Sequence, residues 1–295
     1  MSTNPASLAV ITVTYSPGPY LKAFLDSVPE ATGLPTTVIM ADNGSTDGSP
    51  EAAVGQGVEL LHTGGNLGYG SAINAAARAL RGRREAGEIN DEFFVISNPD
   101  VVFDPASIDA LIDAAARHPG AASLGPFIRE ADGSAYPSAR AVPTLRNGIG
   151  HALFGGIWPK NPWSASYRAD SDMSTERAAG WLSGSCLLVR WEAFDKVGGF
   201  DERYFMYMED VDLGDRFGRA GYSNIFVPSA EITHAKGHSA GEHPETMLPA
   251  HHDSAYRFQA DRLAGPVFAP IRGALWVGLK LRSLIAVANA RLRRR

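Results

Sequence analysis

The sequence predicts an α/β fold, a mixed but mostly parallel sheet flanked by helices, and three observations predict it. Short β-branched runs alternate with helix-period stretches through the first half of the 295-residue chain. Repeated β–α alternation builds parallel sheets, because a parallel strand needs a crossover and a helix is the usual one. Polar clusters stand at the ends of the strands, where such sheets bind their ligands.

Each element follows from its local pattern. Leu8 to Thr14 is an apolar, β-branched run closed by Ser16-Pro17-Gly18, hence a strand, and Pro19 to Ser27 carries helix spacing. Thr37 to Ala41 reads as a strand, the segment near Pro50 to Gly55 as a short helix, and Val58 to Leu61 as a third strand. The alanine-rich run from Tyr69 to about Arg84 is a helix, followed by a strand at Glu92 to Ser97. A helix from Ala106 to Arg117 and a strand at Ala121 to Phe127 complete this half. From Arg129 to Ala179 the pattern breaks into an irregular segment with Pro137, Pro143, Pro159, Pro162, Tyr136, Trp158 and Trp163. A loop that long is usually functional; its aromatics either stack on an apolar ligand face or cover a core edge. Gly180 to Arg190 resumes as one strand, Trp191 to Val197 as a short helix, Glu209 to Ala220 as an acidic helix and Ser223 to Val227 as a strand. The tail from Pro270 is a helix with Val277, Leu281, Leu284, Ile285, Ala288 and Leu292 on one face and its cations on the other.

Composition narrows the class. Apolar residues make up 44% and charged residues 20%, as in a globular protein able to bury a large core. The one cysteine, Cys186, excludes an internal disulfide and lies in an apolar run, where a buried structural thiol is expected. Leu8 to Ile11 is too short for a signal peptide or a span, and no uninterrupted apolar run of spanning length occurs elsewhere, so a cytoplasmic protein is expected. Net charge is −5, yet residues 271–295 hold seven cations and no acid, which leaves −12 on the rest. An acidic body does not suit nucleic acid. The basic amphipathic tail suits an anionic membrane surface, where each Lys or Arg near the lipid contributes about 1 kcal/mol, or else packs on the body or on a second copy in a homodimer.

Four clusters carry candidate chemistry. Asp42-Asn43-Gly44-Ser45-Thr46-Asp47 is a turn with capping residues, or a carboxylate placed to accept from a nucleoside. Gly64-Gly65-Asn66-Leu67-Gly68-Tyr69-Gly70 is a glycine-rich loop entering a helix, where backbone N–H groups meet phosphates; it lacks a Walker A lysine and dinucleotide spacing. Asn98-Pro99-Asp100 after an apolar strand is turn chemistry, or a seat for Mg²⁺ or Mn²⁺, which prefer oxygen ligands and share them with phosphates. His234, with His238 and Ser239 close behind, is a candidate metal or phosphate ligand. Finally, Glu209, Asp210, Asp212 and Asp215 put four acids within seven positions at a helix start. The helix dipole accounts for some of that crowding, and catalysis is the other account.

Taken together and in this order, these clusters resemble the family 2 glycosyltransferases with the GT-A fold. The carrying residues are Val13-Thr14-Tyr15, Asp42 to Asp47, Asn66-Leu67-Gly68-Tyr69-Gly70, Asn98-Pro99-Asp100-Val101, Trp181-Leu182-Ser183-Gly184-Ser185, Gly198-Gly199-Phe200-Asp201-Glu202 and Glu209-Asp210-Val211-Asp212-Leu213. The resemblance covers roughly residues 7 to 240 and is nearest the rhamnosyltransferase branch that adds L-rhamnose to polyprenyl-diphosphate-linked GlcNAc. It implies a catalytic domain over 1–265, with a nucleotide-binding half (1–128) and an acceptor-binding half (129–265), and a separate tail (266–295). It implies a dTDP-sugar or UDP-sugar donor held by Thr14, Tyr15, Asp42, Asn66, Gly68, Asn98 and Asp100. Tyr15 would stack on the base and Asp42 bond the nucleoside; Asp100 and His234 would hold Mg²⁺ or Mn²⁺. Asp210 would be the catalytic base with Glu209 beside it, Trp181 and Gly184 would meet the acceptor, and the enzyme would work on the inner face of the cell membrane. Asn98 departs from the pattern, since an aspartate often stands there. Other donors (a UDP-hexose or galactofuranose), a sugar-phosphate nucleotidyltransferase and a non-catalytic nucleotide-sugar sensor are the alternatives. Val13 to Pro19 lacks the basic glycine loop of the second, and the third needs no acceptor-side base.

Overall fold

Leu8 and Val10 point to one side of a strand while Ala9 and Ile11 point to the other, and all four are buried, so this strand lies at the centre of a sheet covered on both faces. In the computed structural model, which describes residues 6–144, 172–235 and 244–293, that strand is β1 (Ser7–Thr14). Parallel to it run β2 (Thr36–Asp42), β3 (Val58–His62) and β4 (Ile89–Ser97), with α1 (Tyr20–Ala31), α2 (Ser49–Ala53) and α3 (Tyr69–Glu85) between them. A short β5 (Val101–Phe103), α4 (Ser107–Arg117), β6 (Ala121–Glu130), β7 (Ala135–Tyr136), β8 (Ala139–Arg140), β9 (Arg177–Ala179), β10 (Trp181–Leu182) and β11 (Cys186–Arg190) follow. Then come α5 (Trp191–Val197), α6 (Glu209–Arg219), β12 (Ser223–His234), α7 (Pro244–Arg262) and α8 (Ala269–Arg293). The main sheet has the order β3-β2-β1-β4-β11-β6-β12-β5, mixed as expected, with β11 antiparallel to both neighbours.

One core layer packs Val10, Phe24, Val38, Val95, Leu111 and Leu188 under α1 and α4. The other packs Ile11, Ile73, Phe94, Ile96, Trp191 and Phe217 under α3, α5 and α6. Cys186 is buried, and its thiol is pushed far above the usual range by that burial, as a structural cysteine should be.

Three expectations need correction. Gly180 to Arg190 is not one strand: Leu182 pairs with Ala139 in a separate two-stranded sheet, whereas Cys186 pairs with Ser97 of the main sheet. The Ser183-Gly184-Ser185 turn carries the chain from one to the other. Residues 129–179 are not wholly irregular, because β7, β8 and β9 lie within them; Trp158 and Trp163 fall outside the described residues. The long helix α7 was not foreseen at all. It pairs with α8 as a helical hairpin and buries Phe258 against Tyr204 and Val211.

The hairpin settles which face of the tail is covered. Leu275, Leu279 and Ser283 turn inward, Arg272 donates to the carbonyls of Leu263 and Gly265, and Lys280 pairs with Asp253. Arg272 and Lys280 therefore face the hairpin, while Arg282 is exposed like the apolar stripe of Val277, Leu281, Leu284 and Ile285, with Trp276 beside it. Among the described residues no helix is long and apolar enough to cross a membrane.

Candidate active site

The loop after β2 is shaped by one carboxylate. Asp42 is 3% exposed and accepts hydrogen bonds from the Thr14 and Ser45 hydroxyls and from the Gly44 and Ser45 N–H groups. Burial works to raise its pKa, but those donors outweigh it and hold the group below its ordinary value. Asp42 thus first of all folds the loop after β2 and ties it to Thr14 at the end of β1, next to the exposed Tyr15. Asn43 extends the order: its side chain donates to the Gly68 carbonyl at 3.2 Å, and Asn66 accepts from the Gly68 N–H at 3.1 Å. Gly68 has φ +84°, and a Cβ there would stand 2.0 Å from the Phe205 carbonyl oxygen, so only glycine lets the loop lie against the segment leading to α6.

A second cluster forms at the ends of β4, β5 and β12. β12 runs antiparallel to β5 with His234 opposite Val101, and this register brings the imidazole to the Asn98-Pro99-Asp100 turn. His234 Nε2 lies 3.0 Å from Asp100 Oδ1 and 3.3 Å from the Asn98 amide nitrogen, all three being half-buried. His238 and Ser239 lie outside the described residues. One carboxylate, one imidazole and an amide oxygen reached by rotating Asn98 form a donor set for a divalent cation that takes its other ligands from phosphate and water. An all-protein cage is absent among the described residues, where no three His, Cys, Asp or Glu cluster for metal. The residues fit a shared cation and not a permanently enclosed one.

The third cluster is at the start of α6. Tyr207 and Met208 both have φ +67°, a conformation that costs non-glycine residues free energy and concentrates at functional sites. That backbone aims Asp210 at the Ser183-Gly184-Ser185 turn. The Gly184 N–H donates to Asp210 Oδ2 at 3.1 Å and the Val211 N–H to Oδ1 at 2.8 Å. Glu209 is buried with its Oε2 unpartnered. Burial first and the neighbouring Asp210 second push Glu209 up to about 8. Burial raises Asp210 too, opposed by its two N–H donors and by the positive charge of Arg140. Two N–H donors favour the ionised form of the half-buried Asp210, whereas Oε2 of Glu209 has no partner, so a proton shared by the pair is favoured on Glu209. The other two acids have different work: Asp212 pairs with Arg216, and Asp215 with Arg219 and Arg262.

The same turn joins the second and third clusters. Ser185 accepts from the Asn98 N–H at 2.9 Å, and Gly184 accepts from the Tyr69 hydroxyl at 2.6 Å while donating to Asp210. A Cβ on Gly184 would sit 3.3 Å from Asp210 Cβ and 3.4 Å from Tyr69. Trp181 lies half-buried two residues before this turn, its indole N–H donating to Ala141. Asn98, Asp100, His234, Gly184, Glu209 and Asp210 are thus tied together through backbone. Thr14, Tyr15, Asp42, Asn66 and Gly68 lie on loops adjoining them. Tyr69 stands in the glycine-rich loop that the sequence marks but is not among the site residues expected from it, and no local signal marks Arg140.

The sequence model described as "Glycosyl transferase family 2" matches residues 9–198, and one described as "Glycosyl transferase family group 2" matches residues 163–249. The chain is 54% identical over 292 residues to N-acetylglucosaminyl-diphospho-decaprenol L-rhamnosyltransferase of Mycobacterium tuberculosis, covering 98% of this chain and 95% of that protein. It is 27% identical over 199 residues to the rhamnosyltransferase WbbL of Escherichia coli K12, covering 67% of this chain and 72% of the other. Among solved structures, the mannosyltransferase PcManGT from Pyrobaculum calidifontis, in complex with GDP-Man and Mn²⁺, superposes with a TM-score of 0.56 at 19% identity, covering 98% of this chain and 74% of that one. GalNAc-T7 with UDP, GalNAc and Mn²⁺ gives 0.58 at 12%, covering 87% of this chain and 48% of that one. Both establish a shared fold.

The placement of the proton has a measurable consequence. Burial and the adjacent Asp210 raise Glu209 in the native state above its ordinary value, so as pH rises past that ordinary value the native state holds a proton the unfolded chain has lost, and stability falls until the native group also ionises. Glu209→Gln removes that slope. Urea denaturation is expected to give matching stabilities at pH 4.5 and a variant more stable by upwards of about 1 kcal/mol at pH 8. Parallel pH profiles for the two proteins would refute the assignment.

Proposed function

The chain belongs to glycosyl transferase family 2, and we propose that it moves L-rhamnose from dTDP-L-rhamnose to a hydroxyl of a polyprenyl-diphosphate-linked GlcNAc, with inversion at the anomeric carbon. Family membership sets aside the nucleotidyltransferase and the sensor. The donor and acceptor come from the 54% identity to the mycobacterial enzyme over nearly the full length of both chains. The observation that carries the chemistry is the Gly184 turn, which ties Asp210 on one side to the Asn98-Asp100 strand end on the other.

Each residue then has a task. Tyr15 stacks on the base, Thr14 and Asp42 set the nucleoside loop, and Asn66 and Gly68 bring backbone N–H groups to the donor. Asp100 and His234, with the Asn98 amide, would hold a divalent cation. When bound, Mg²⁺ or Mn²⁺ would supply positive charge to offset that of the departing nucleoside diphosphate. Asp210 removes the proton from the acceptor hydroxyl, and general-base assistance of this kind is worth ~10²–10⁴-fold. Glu209, holding its proton, keeps a second negative charge out of the path of the incoming oxygen. With one ionised carboxylate facing the acceptor and no second nucleophile singled out, a single displacement with inversion follows.

The exposed apolar stripe of α8 is assigned to an anionic membrane surface on the cytoplasmic side, where a lipid-linked acceptor resides. Val277, Leu281, Leu284 and Ile285 enter the lipid boundary, and Arg282 with the terminal arginines meets the headgroups. The enzyme is thereby peripheral, with 266–295 acting as its attachment.

Two substitutions separate the roles. Asp210→Asn is expected to lower kcat at least ~10²-fold while calorimetry with dTDP-L-rhamnose gives a nearly unchanged Kd, because a base acts mainly in the transition state. Asp100→Ala is expected to weaken nucleotide binding in the presence of Mg²⁺ or Mn²⁺. Near-normal turnover by the first, or unchanged binding by the second, would overturn that residue's assignment. For the tail, cosedimentation with phosphatidylglycerol vesicles is expected, and Leu281→Asp/Leu284→Asp should abolish it. If the same pair instead converts a dimer to a monomer in sedimentation velocity, with no vesicle binding by the parent, the stripe is a subunit interface.

A further inference from the structure

Arg140 closes β8 and stands opposite Trp181 in the register of the small sheet. Its Nε donates to the Pro137 carbonyl at 2.8 Å, and its guanidinium carbon lies 5.6 Å from the Tyr136 ring centroid and 5.8 Å from that of Trp181. These contacts fix the plane of the group through one N–H and two aromatic rings, and leave the terminal fork without a carboxylate among the described residues. Arg84, Arg129, Arg190, Arg203, Arg216 and Arg262 each meet one. A held, half-buried arginine with no counter-ion costs conformational freedom that no ion pair offsets.

Its position says what it faces. β10 packs on α6, the helix whose first turn carries Asp210, for a Cβ on Gly214 would stand 2.7 Å from Trp181 Cβ. Two residues beyond Leu182 the chain reaches Gly184 and its hydrogen bond to the catalytic carboxylate. The charge of Arg140 is felt at that carboxylate, whose pKa burial raises and Arg140 helps to lower. Asp100 and His234 belong instead to the β5 and β12 ends of the main sheet. Arg140 is thus on the β8–β10 side of the base, the side that carries Trp181.

We propose that Arg140 binds the diphosphate of the lipid-linked acceptor, its planar fork taking phosphate oxygens while Tyr136, Trp181 and the Pro137 carbonyl hold it in place. This rests on the reading of the acceptor given above. In such an acceptor the diphosphate sits on the same sugar ring as the hydroxyl presented to Asp210, so a cation on the Trp181 side of the base, whose charge reaches Asp210, is placed to meet it. A guanidinium suits phosphate because two parallel N–H groups match two oxygens, which a lysine ammonium does not reproduce.

The test uses the full chain with a short-chain prenyl-diphosphate GlcNAc as acceptor, and farnesyl diphosphate and octyl β-GlcNAc as competitive inhibitors against it. Arg140→Ala is expected to raise the acceptor KM and the farnesyl diphosphate Ki roughly 10- to 100-fold, with the octyl β-GlcNAc Ki and the dTDP-L-rhamnose Kd within about twofold of the parent. Arg140→Lys should fall between, and melting temperatures check that both variants fold. Equal weakening of both inhibitors would make Arg140 a packing residue, and a rise in the donor Kd would assign it to the donor diphosphate; either overturns the proposal, as does a parent enzyme that farnesyl diphosphate does not inhibit. A parent that transfers nothing to the diphosphate acceptor defeats the acceptor reading itself, and this inference with it.

Discussion

The hydrogen bonds of the Ser183-Gly184-Ser185 turn are what the rest of the site depends on. Three parts of the chain far apart in sequence meet there: Asn98 through its N–H, Tyr69 through its hydroxyl and Asp210 through its carboxylate. Each partner is itself fixed by a larger element, respectively a central strand, the α3 start and the α6 start. The turn converts three separately folded pieces into one constellation. It does so with backbone groups, whose positions follow from the sheet and not from side-chain rotamers, and such groups hold catalytic geometry well. Glycine at 184 is required by space, since Asp210 and Tyr69 both crowd the place its Cβ would take.

The helical hairpin supports the same site from the other side. Ser254 of α7 donates to the Met206 carbonyl, and His251 meets the Tyr207 ring edge-on at 5.3 Å. On the opposite side the Tyr69 N–H donates to the Phe205 carbonyl, beneath the close approach of Gly68. The strained backbone of Tyr207 and Met208 is therefore held between the glycine loop and α7, and over-determination of this kind is what keeps costly φ values populated. α8 packs on α7 and leaves its apolar stripe outward.

How much of this was legible depends on whether a feature is local. The parallel half of the sheet was, because β1 to β4 and α1 to α4 each carry their own periodicity. The acidic crowd at α6 was also visible, and helical spacing even separates its members: Asp212 and Asp215 find Arg216 and Arg219 four residues on, while Glu209 and Asp210 have no such cation. What stayed hidden is non-local. β5 is three residues long, too short for any period, yet its pairing with β12 is what delivers His234 to Asp100. The break at Gly184 was invisible because Trp181-Leu182 and Cys186 to Arg190 both have strand composition, and only their different partners separate them. Arg140 resembles any surface arginine until the fold sets it beside Trp181.

Charge explains why these hidden pieces are needed. In the proposed reaction two diphosphates, one on the donor and one on the acceptor, would approach Asp100, Glu209 and Asp210, in a body whose net charge without the tail is −12. Left uncompensated, that field repels both substrates. Three devices oppose it, each at a different point. A proton on Glu209 removes one negative charge where burial makes ionisation most costly. The Asp100–His234 pair offers a seat for a divalent cation at the donor phosphates. Arg140, the held cation on the acceptor side, faces the remaining charge and at the same time favours the ionised form of Asp210. On the proposed reading the half-buried Asp210 can then stay charged, which a lone carboxylate in that position could not.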